Sequence, residues 1–388
     1  MSVNARFALI PRDGLFCKDG RGWYTSASGR GRGIDWPWPS TVLGALRGAW
    51  GRVEEQRSGA VFSADAWREQ TATVALGRTL ALRRPLGTPW TPAHRIWPVP
   101  SDALWLEGRE EVHPLDPCHQ STSTLGRDDD DAREALLFPA IDETGKPLAP
   151  PRWWSEERFV DWLTGSRVPA RDGGKAFNPS RRIQVHIGID ADRLTAEEGM
   201  LFSHDVVETL EHDAEWAIGA ELLGSSASML TMATLGADSR LARAETLPEE
   251  AFEPPPALFE AFRRGSPGLR LVVVTPACFE HGWLPDGLER REREYRGHIA
   301  GLEAEVLLRA ALVSRPVHVS GWDMAAGTPK STSRMVPAGA VYFFARADGA
   351  AFNEADSQAL WLAALGTRTN EGFGRVVPGT WSPRLEVS

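Results

Sequence analysis

Cysteine is scarce in this chain of 388 residues: Cys17, Cys118 and Cys278 are its three, widely separated and without a CxxC pair. An odd count at such spacing fits neither a disulfide framework nor a cysteine-based zinc site, and it points to a reducing cytoplasm. No apolar run approaches the roughly 18 residues that cross a bilayer. The opening MSVNARFALIP lacks the long apolar core of a signal peptide, so a soluble cytoplasmic protein is expected. GxSxG and HExxH are both missing. His113, Cys118 and His119 lie near one another in sequence, but their spacing matches no strong zinc pattern. No metal, cofactor or membrane partner is expected.

What the chain does have is enough apolar residue, 42% of the total, to bury a substantial core. At about 100–200 residues per domain its length suggests two domains. The formal net charge of −9 argues against wholesale coating of nucleic acid. Residues 1–52 run the other way, with eight Lys or Arg against three Asp. A local cationic surface is therefore expected near the start, facing an acidic remainder.

Val3 to Ile10 reads as a strand, followed by a Gly- and Arg-rich loop to Pro39. A helix then starts at Ser40 as N-cap, with Val42, Leu43, Leu46, Ala49, Trp50 and Val53 on one face. Strands are expected at Thr73 to Leu82, His94 to Val99 and Ala103 to Leu106. From Pro114 to about Gly174 the pattern dissolves into Pro, Asp and Gly clusters, including Asp128 to Asp131, and reads as an insertion. Ile183 to Asp190 alternates apolar and polar residues, predicting a half-buried strand with His186 on its polar face. Leu269 to Thr275 suits a central strand, Glu289 to Tyr295 a surface helix and Ala338 to Arg346 another strand. The end of the chain reads as helix Glu354 to Leu365, a glycine loop and strand Phe373 to Val377. Strands and helices without strict βα alternation indicate an α+β fold, with βαββαβ units at the two ends.

Four segments carry candidate chemistry. In the first, Arg12, Lys18, Arg21, Arg30 and Arg32 interleave with Phe16, Trp23 and Tyr24. Cations for phosphate and aromatic faces for bases make a single-stranded nucleic-acid site, although the same residues also suit a solvated loop. In the second, Ser40 and Thr41 open a helix whose N-terminus can receive phosphate, with Arg47 two turns in; an ordinary N-cap explains Ser40 equally well. The third is LGTRTNEGFGR, where Gly366, Gly372 and Gly374 permit close backbone approach and Arg368 and Thr369 can bond phosphate or sugar. It follows a helix and precedes a strand, the reverse of the dinucleotide and Walker loops. In the fourth, Lys330 and Arg334 flank a Ser/Thr cluster, as a basic hairpin tip or a plain surface loop.

Together these segments resemble a known family: the RAMP-superfamily proteins of type III CRISPR effector complexes, specifically the third subunit of the type III-B (Cmr) complex. The resemblance runs along the whole chain. It rests on PRDGLFCKDGRGW, PWPSTVLGALRGAW, RIQVHIGIDADRLTAEEGMLF, LGADSRLA, GWDMAAGTPKSTSRMVPAGAVYFF and LGTRTNEGFGR, in that order. The family often shows Pro where this chain has Gly14, and Gly-Gly where it has Gly236-Ala237.

The resemblance implies two ferredoxin-like (RRM-like) βαββαβ domains with a C-terminal glycine-rich loop. They are assigned to residues 1–175, with the insertion at 114–174, and to residues 176–388. It implies a non-catalytic subunit for antiviral RNA-guided defence that binds the 5′ repeat-derived tag of the crRNA. The subunit docks the large polymerase/cyclase-type subunit and a backbone RAMP subunit, meets target RNA indirectly, and carries a β-hairpin that helps kink the guide. Arg12, Lys18 and Arg21 match the basic loop, Ser40, Thr41 and Arg47 the first helix, and Gly366, Arg368, Thr369, Gly372, Phe373 and Gly374 the glycine-rich loop. Two alternatives stay open: a metal-independent crRNA-processing endoribonuclease using His186 as general acid or base, and the equivalent subunit of a type III-A complex.

Overall fold

The computed structural model describes residues 3–18, 29–31, 33–118, 136–141, 143–171, 173–224, 230–292, 294–324 and 326–383. They fall into two units, each gathered from three stretches of chain: residues 1–90, 179–248 and 318–334, and residues 91–178, 249–317 and 335–388. The sequence suggests a single boundary at 175/176, whereas the units interleave along the chain.

The first unit is built on strands β1 (Val3–Pro11), β2 (Ala75–Pro85), β3 (Arg181–Ile189), β4 (Ala196–Val207), β5 (Ala214–Leu223) and β6 (Leu241–Thr246). Its main sheet runs β2-β5-β1-β6, with Met232–Thr234 at the edge, and every pairing is antiparallel. Phe7 and Leu9 of β1 and Ile218, Ala220 and Leu222 of β5 meet one stripe of helix α1 (Pro39–Ser58): Val42, Leu43, Leu46, Ala49 and Trp50. Each fully buried Leu or Val there contributes about 1.5–3 kcal/mol. The expected stripe is correct, but the expected cap is not. Trp38 is the N-cap and Pro39 opens the helix, so Ser40 sits inside the first turn and makes no cap bond. Pro fits there because its missing N–H would have no helical partner. Gly59 ends α1 in the left-handed region, and a second helix, α2 (Ala64–Ala72), follows with Ser63 accepting from the Ala66 N–H. Arginines of the sheet are held by buried carboxylates: Arg78 by Glu221 at 2.7 Å and Arg84 by Glu215 at 2.5 Å.

β3 and β4 form an antiparallel ribbon, joined on one side by the short parallel strand Arg30–Gly31. Its burial inverts the alternation read from the sequence. Ile183, Val185, Ile187 and Ile189 are 54%, 64%, 52% and 57% exposed, whereas Gln184 and His186 are half-buried. The polar face turns inward because it finds partners there: Arg240 donates to Gln184 Oε1 at 2.8 Å, and Phe202 stacks on His186.

The second unit contains β7 (Gly268–Val273), β8 (Val306–Leu312), β9 (Val341–Arg346) and β10 (Val376–Trp381), paired antiparallel in the order β8-β9-β7-β10. β7 is buried along its length, as a continuous apolar run at a sheet centre requires. Among the described residues, three helices belong to this unit: α3 (Glu156–Leu163), α4 (Pro256–Arg263) and α5 (Glu354–Leu360). α5 stops five residues short of the expected Leu365; Asn353 starts it with a capping box.

Two segments depart from their expected structure. Glu289 to Tyr295 is not a helix but part of a hairpin, Leu288–Arg291 with Glu294–Gly297, at the edge of the β8 side. Charged residues suit an edge strand because they discourage further pairing. The stretch from Pro114 to Gly174 is not all insertion either. Ser155 caps α3 by accepting from the Arg158 N–H, and Phe159 and Leu163 are fully buried. Trp162 donates to the buried Asp102 at 3.0 Å, while Arg270 of β7 lies 3.0 Å from the other Asp102 oxygen and donates to the Trp162 carbonyl at 2.7 Å. This ties α3 to the central strand. Asp128 to Asp131 lie outside the described residues. Among the described residues, no helix is long and apolar enough to cross a membrane.

Candidate nucleic-acid interface

Basic residues near the start separate into three groups. Arg12 follows β1 as an exposed residue whose backbone N–H bonds Leu241 O at 2.8 Å. Lys18 is half-buried and bridges to Gly33. Arg30 lies on the strand beside β4, opposite Ser203. Arg21, Arg32, Trp23 and Tyr24 lie outside the described residues. The remaining aromatic of this segment is no base platform: Phe16 is 1% exposed and stacks on His204 with ring centroids 4.1 Å apart.

The start of α1 offers less to a phosphate than a bare helix end would. Pro39 has no N–H, and the N–H groups of Thr41 and Val42 both bond Trp38 O, at 2.9 and 3.2 Å. Ser40 and Thr41 are half-buried. Arg47 directs Nε and Nη2 onto one acceptor, Val74 O, at 2.9 and 2.8 Å, so it fastens α1 to the entry of β2. Lys330 and Arg334 are exposed. The segment holding Lys330 follows a two-residue hairpin, Trp322–Asp323 with Thr328–Pro329, and the Lys330 N–H bonds Gly321 O at 2.8 Å.

The glycine-rich loop lies in the second unit, between α5 and β10, and its glycines serve close backbone contact. Gly366 has φ 85°, and a Cβ there would stand 2.4 Å from Cys278 O; at Gly374 (φ 73°) it would stand 1.9 Å from Leu365 O. A side chain is excluded at both positions. Thr367 N–H bonds Cys278 O at 2.8 Å, Gly374 N–H bonds Pro276 O at 2.8 Å, and Thr275 Oγ1 donates to Gly372 O at 3.0 Å. Thr369 O accepts from Arg375 at 3.3 Å. Arg368 adopts a positive φ of 58° and grips Glu371 through Nε and Nη2. These bonds push its pKa up, and the guanidinium sits over the Phe373 ring, 4.9 Å from the centroid. Phe373 is 0% exposed, which corrects its expected role in meeting RNA: it is core beneath the loop.

Arg12, Lys18, Arg30, Ser40, Thr41, Arg47, Lys330 and Arg334 therefore share the first unit, while the loop from Gly366 to Gly374 belongs to the second. Sequence reasoning misses the outward aliphatic face of β3, although the alternation that marks it is in plain view.

A protein-family model described as CRISPR-associated protein (Cas_Cmr3) matches residues 7–381. Comparison with curated proteins returns no match. Among solved structures, a chain of the cryo-EM structure of the Type III-B Cmr-beta bound to cognate target RNA is 11% identical, with a TM-score of 0.46 over 88% of this chain and 86% of that one. A chain of the same assembly with target RNA and AMPPnP, state 1, is 10% identical, with a TM-score of 0.45 over 87% and 86%.

Proposed function

We propose that this chain, which belongs to the CRISPR-associated Cas_Cmr3 family, serves in a type III-B Cmr complex as a crRNA-binding scaffold rather than an enzyme. It holds the 5′ repeat-derived tag and docks the large polymerase/cyclase-type subunit and a backbone subunit. The observation carrying this reading is the distribution of cations in the first unit. Sheet arginines are engaged by carboxylates, whereas Arg12, Lys330 and Arg334 are exposed and form no ion pair among the described residues. Exposed cations without a carboxylate are the ones able to release counterions from phosphate.

Each unit also supports the ferredoxin-like reading. Numbering only the four main-sheet strands of each unit in chain order, and leaving out the ribbon β3–β4, the order is 2-3-1-4 in both, with α1 after the first of these strands in one unit and α5 before the last in the other. The ribbon β3–β4 is our candidate for the hairpin that meets the guide.

Reversal of Arg12, Lys330 and Arg334 to Glu tests the scaffold. Affinity for tagged crRNA should fall, and the slope of log affinity against log salt should flatten by about one for each phosphate no longer neutralised. Equal affinity and slope would remove the RNA site from this unit. A second reading, a metal-independent endoribonuclease, is favoured by the proximity of His186 and His204, whose ring centroids are 4.7 Å apart. Site-specific cleavage of repeat RNA in EDTA, lost in His186→Ala, would replace the scaffold by the enzyme.

A further inference from the structure

Three side chains from two strands and a turn of the first unit converge. Across the ribbon, His186 pairs with Phe202 and Gln184 with His204, so the two histidines are diagonal neighbours on its inward face. Asp238 comes from the turn before β6, and its Oδ2 lies 3.6 Å from His204 Nδ1. One nitrogen of each imidazole and one Asp238 oxygen all lie within 4.8 Å of one another. Zinc bonds of about 2.0–2.1 Å set tetrahedral ligand atoms roughly 3.3 Å apart, a closure that side-chain torsions can supply.

Three further observations fit a ligand rather than an accidental cluster. His186 Nε2 is buried with no hydrogen-bond partner among the described residues. Aromatic rings wall both imidazoles, Phe202 parallel to His186 at 5.2 Å and Phe16 parallel to His204 at 4.1 Å, which fixes the ring planes. Asp238 and Ser239 hold φ of 58° and 48°, a left-handed pair that L side chains rarely adopt and that places the carboxylate beside the ribbon. Arg240 opposes a cation, 3.6 Å from the same Asp238 oxygen, and its guanidinium is already bonded to Gly14 O at 2.9 Å and Gln184 Oε1 at 2.8 Å.

We propose that His186, His204 and Asp238 form a binding site for a divalent transition metal of the zinc class, which clamps the ribbon β3–β4 to the turn at residues 236–240. Two imidazoles and a carboxylate are the donor set such ions select over magnesium or calcium.

The test uses the full chain, freed of any histidine tag, stripped with EDTA and titrated with zinc chloride. Calorimetry should show a single site, desalted protein should retain one zinc ion by mass spectrometry, and zinc should raise the melting temperature. His186→Asn and Asp238→Asn should each weaken binding at least about tenfold and abolish the thermal shift, while His298→Asn leaves both intact. Should His186→Asn fail to fold, Asp238→Asn decides, because that side chain is 47% exposed. Retention of no zinc by the wild-type chain, or zinc binding that survives Asp238→Asn unchanged, overturns the site.

Discussion

Arg368 and Glu371 close the glycine-rich loop on itself, with Nε and Nη2 of the arginine 2.7 and 2.8 Å from the two carboxylate oxygens. A guanidinium so engaged is not free for phosphate. Glu371→Gln should release it, raising affinity for tagged crRNA severalfold at low salt and steepening the salt dependence by about one neutralised phosphate. An unchanged slope would show that the loop does not meet RNA.

Phe373 separates a packing role from a base-stacking one. Because it is fully buried, Phe373→Ala should destabilise the chain by about 3–5 kcal/mol, read as a lower melting temperature. Phe373→Leu should recover most of that loss. At a temperature where all three proteins are folded, crRNA affinity should be equal; weaker binding by folded Phe373→Leu would restore the stacking role.

Asp348 predicts a component of acid sensitivity. Hydrogen bonds from Arg346 and from the Ala350 N–H lower its pKa from 3.8 to about 2. The folded state then binds fewer protons than the unfolded state between those values, so the contribution to stability is complete above 3.8 and is lost as pH falls through about 2. Asp348→Asn should lack that part of the pH dependence, as measured by denaturant midpoints at stepped pH. Identical curves for the two proteins would remove the Arg346 pairing.

The aliphatic face of β3 is expected to act between molecules rather than within this one. Replacing Ile183, Val185, Ile187 and Ile189 by Thr should leave the melting temperature almost unchanged, since exposed substitutions typically stay within about ±0.5 kcal/mol. The same change should reduce association of the isolated subunit in sedimentation or incorporation into the assembled complex. A large loss of stability would mean that the face is covered by its own chain.

Much of the framework is legible from the residues. The continuous apolar run at Leu269 to Thr275 is the buried centre of its sheet, and the stripe from Val42 to Trp50 is the buried face of α1. Inference fails where neighbours decide. The alternation at Ile183 to Ile189 shows which residues share a face but not which face is covered, because Arg240, Phe16 and His204 on other segments draw the polar side inward. The charges at Glu289 to Tyr295 suggest helix, yet Glu292 takes φ 54° and turns a hairpin. The glycines of the terminal loop are rightly read as backbone demands, but the burial of Phe373 depends on residues 275–278, which contact the loop from a hundred positions earlier. His186, His204 and Asp238 fall in no spacing motif, since a ribbon and a separate turn bring them together.

The interleaving of the two units bears on how the chain is made. β1 pairs with β5, which begins at Ala214, and β7 pairs with β10, which begins at Val376. On a ribosome adding about 5–20 residues per second, the first strand waits at least ten seconds for its neighbour, and the second sheet cannot close until its last strand has emerged. Cleaving the gene at the expected boundary near residue 175 would leave β1 and β2 in one fragment and β5 and β6 in the other, so each half would carry a broken part of the first sheet, although β7 to β10 stay together. Separately produced halves should therefore aggregate, and soluble protein should return only when both are synthesised together.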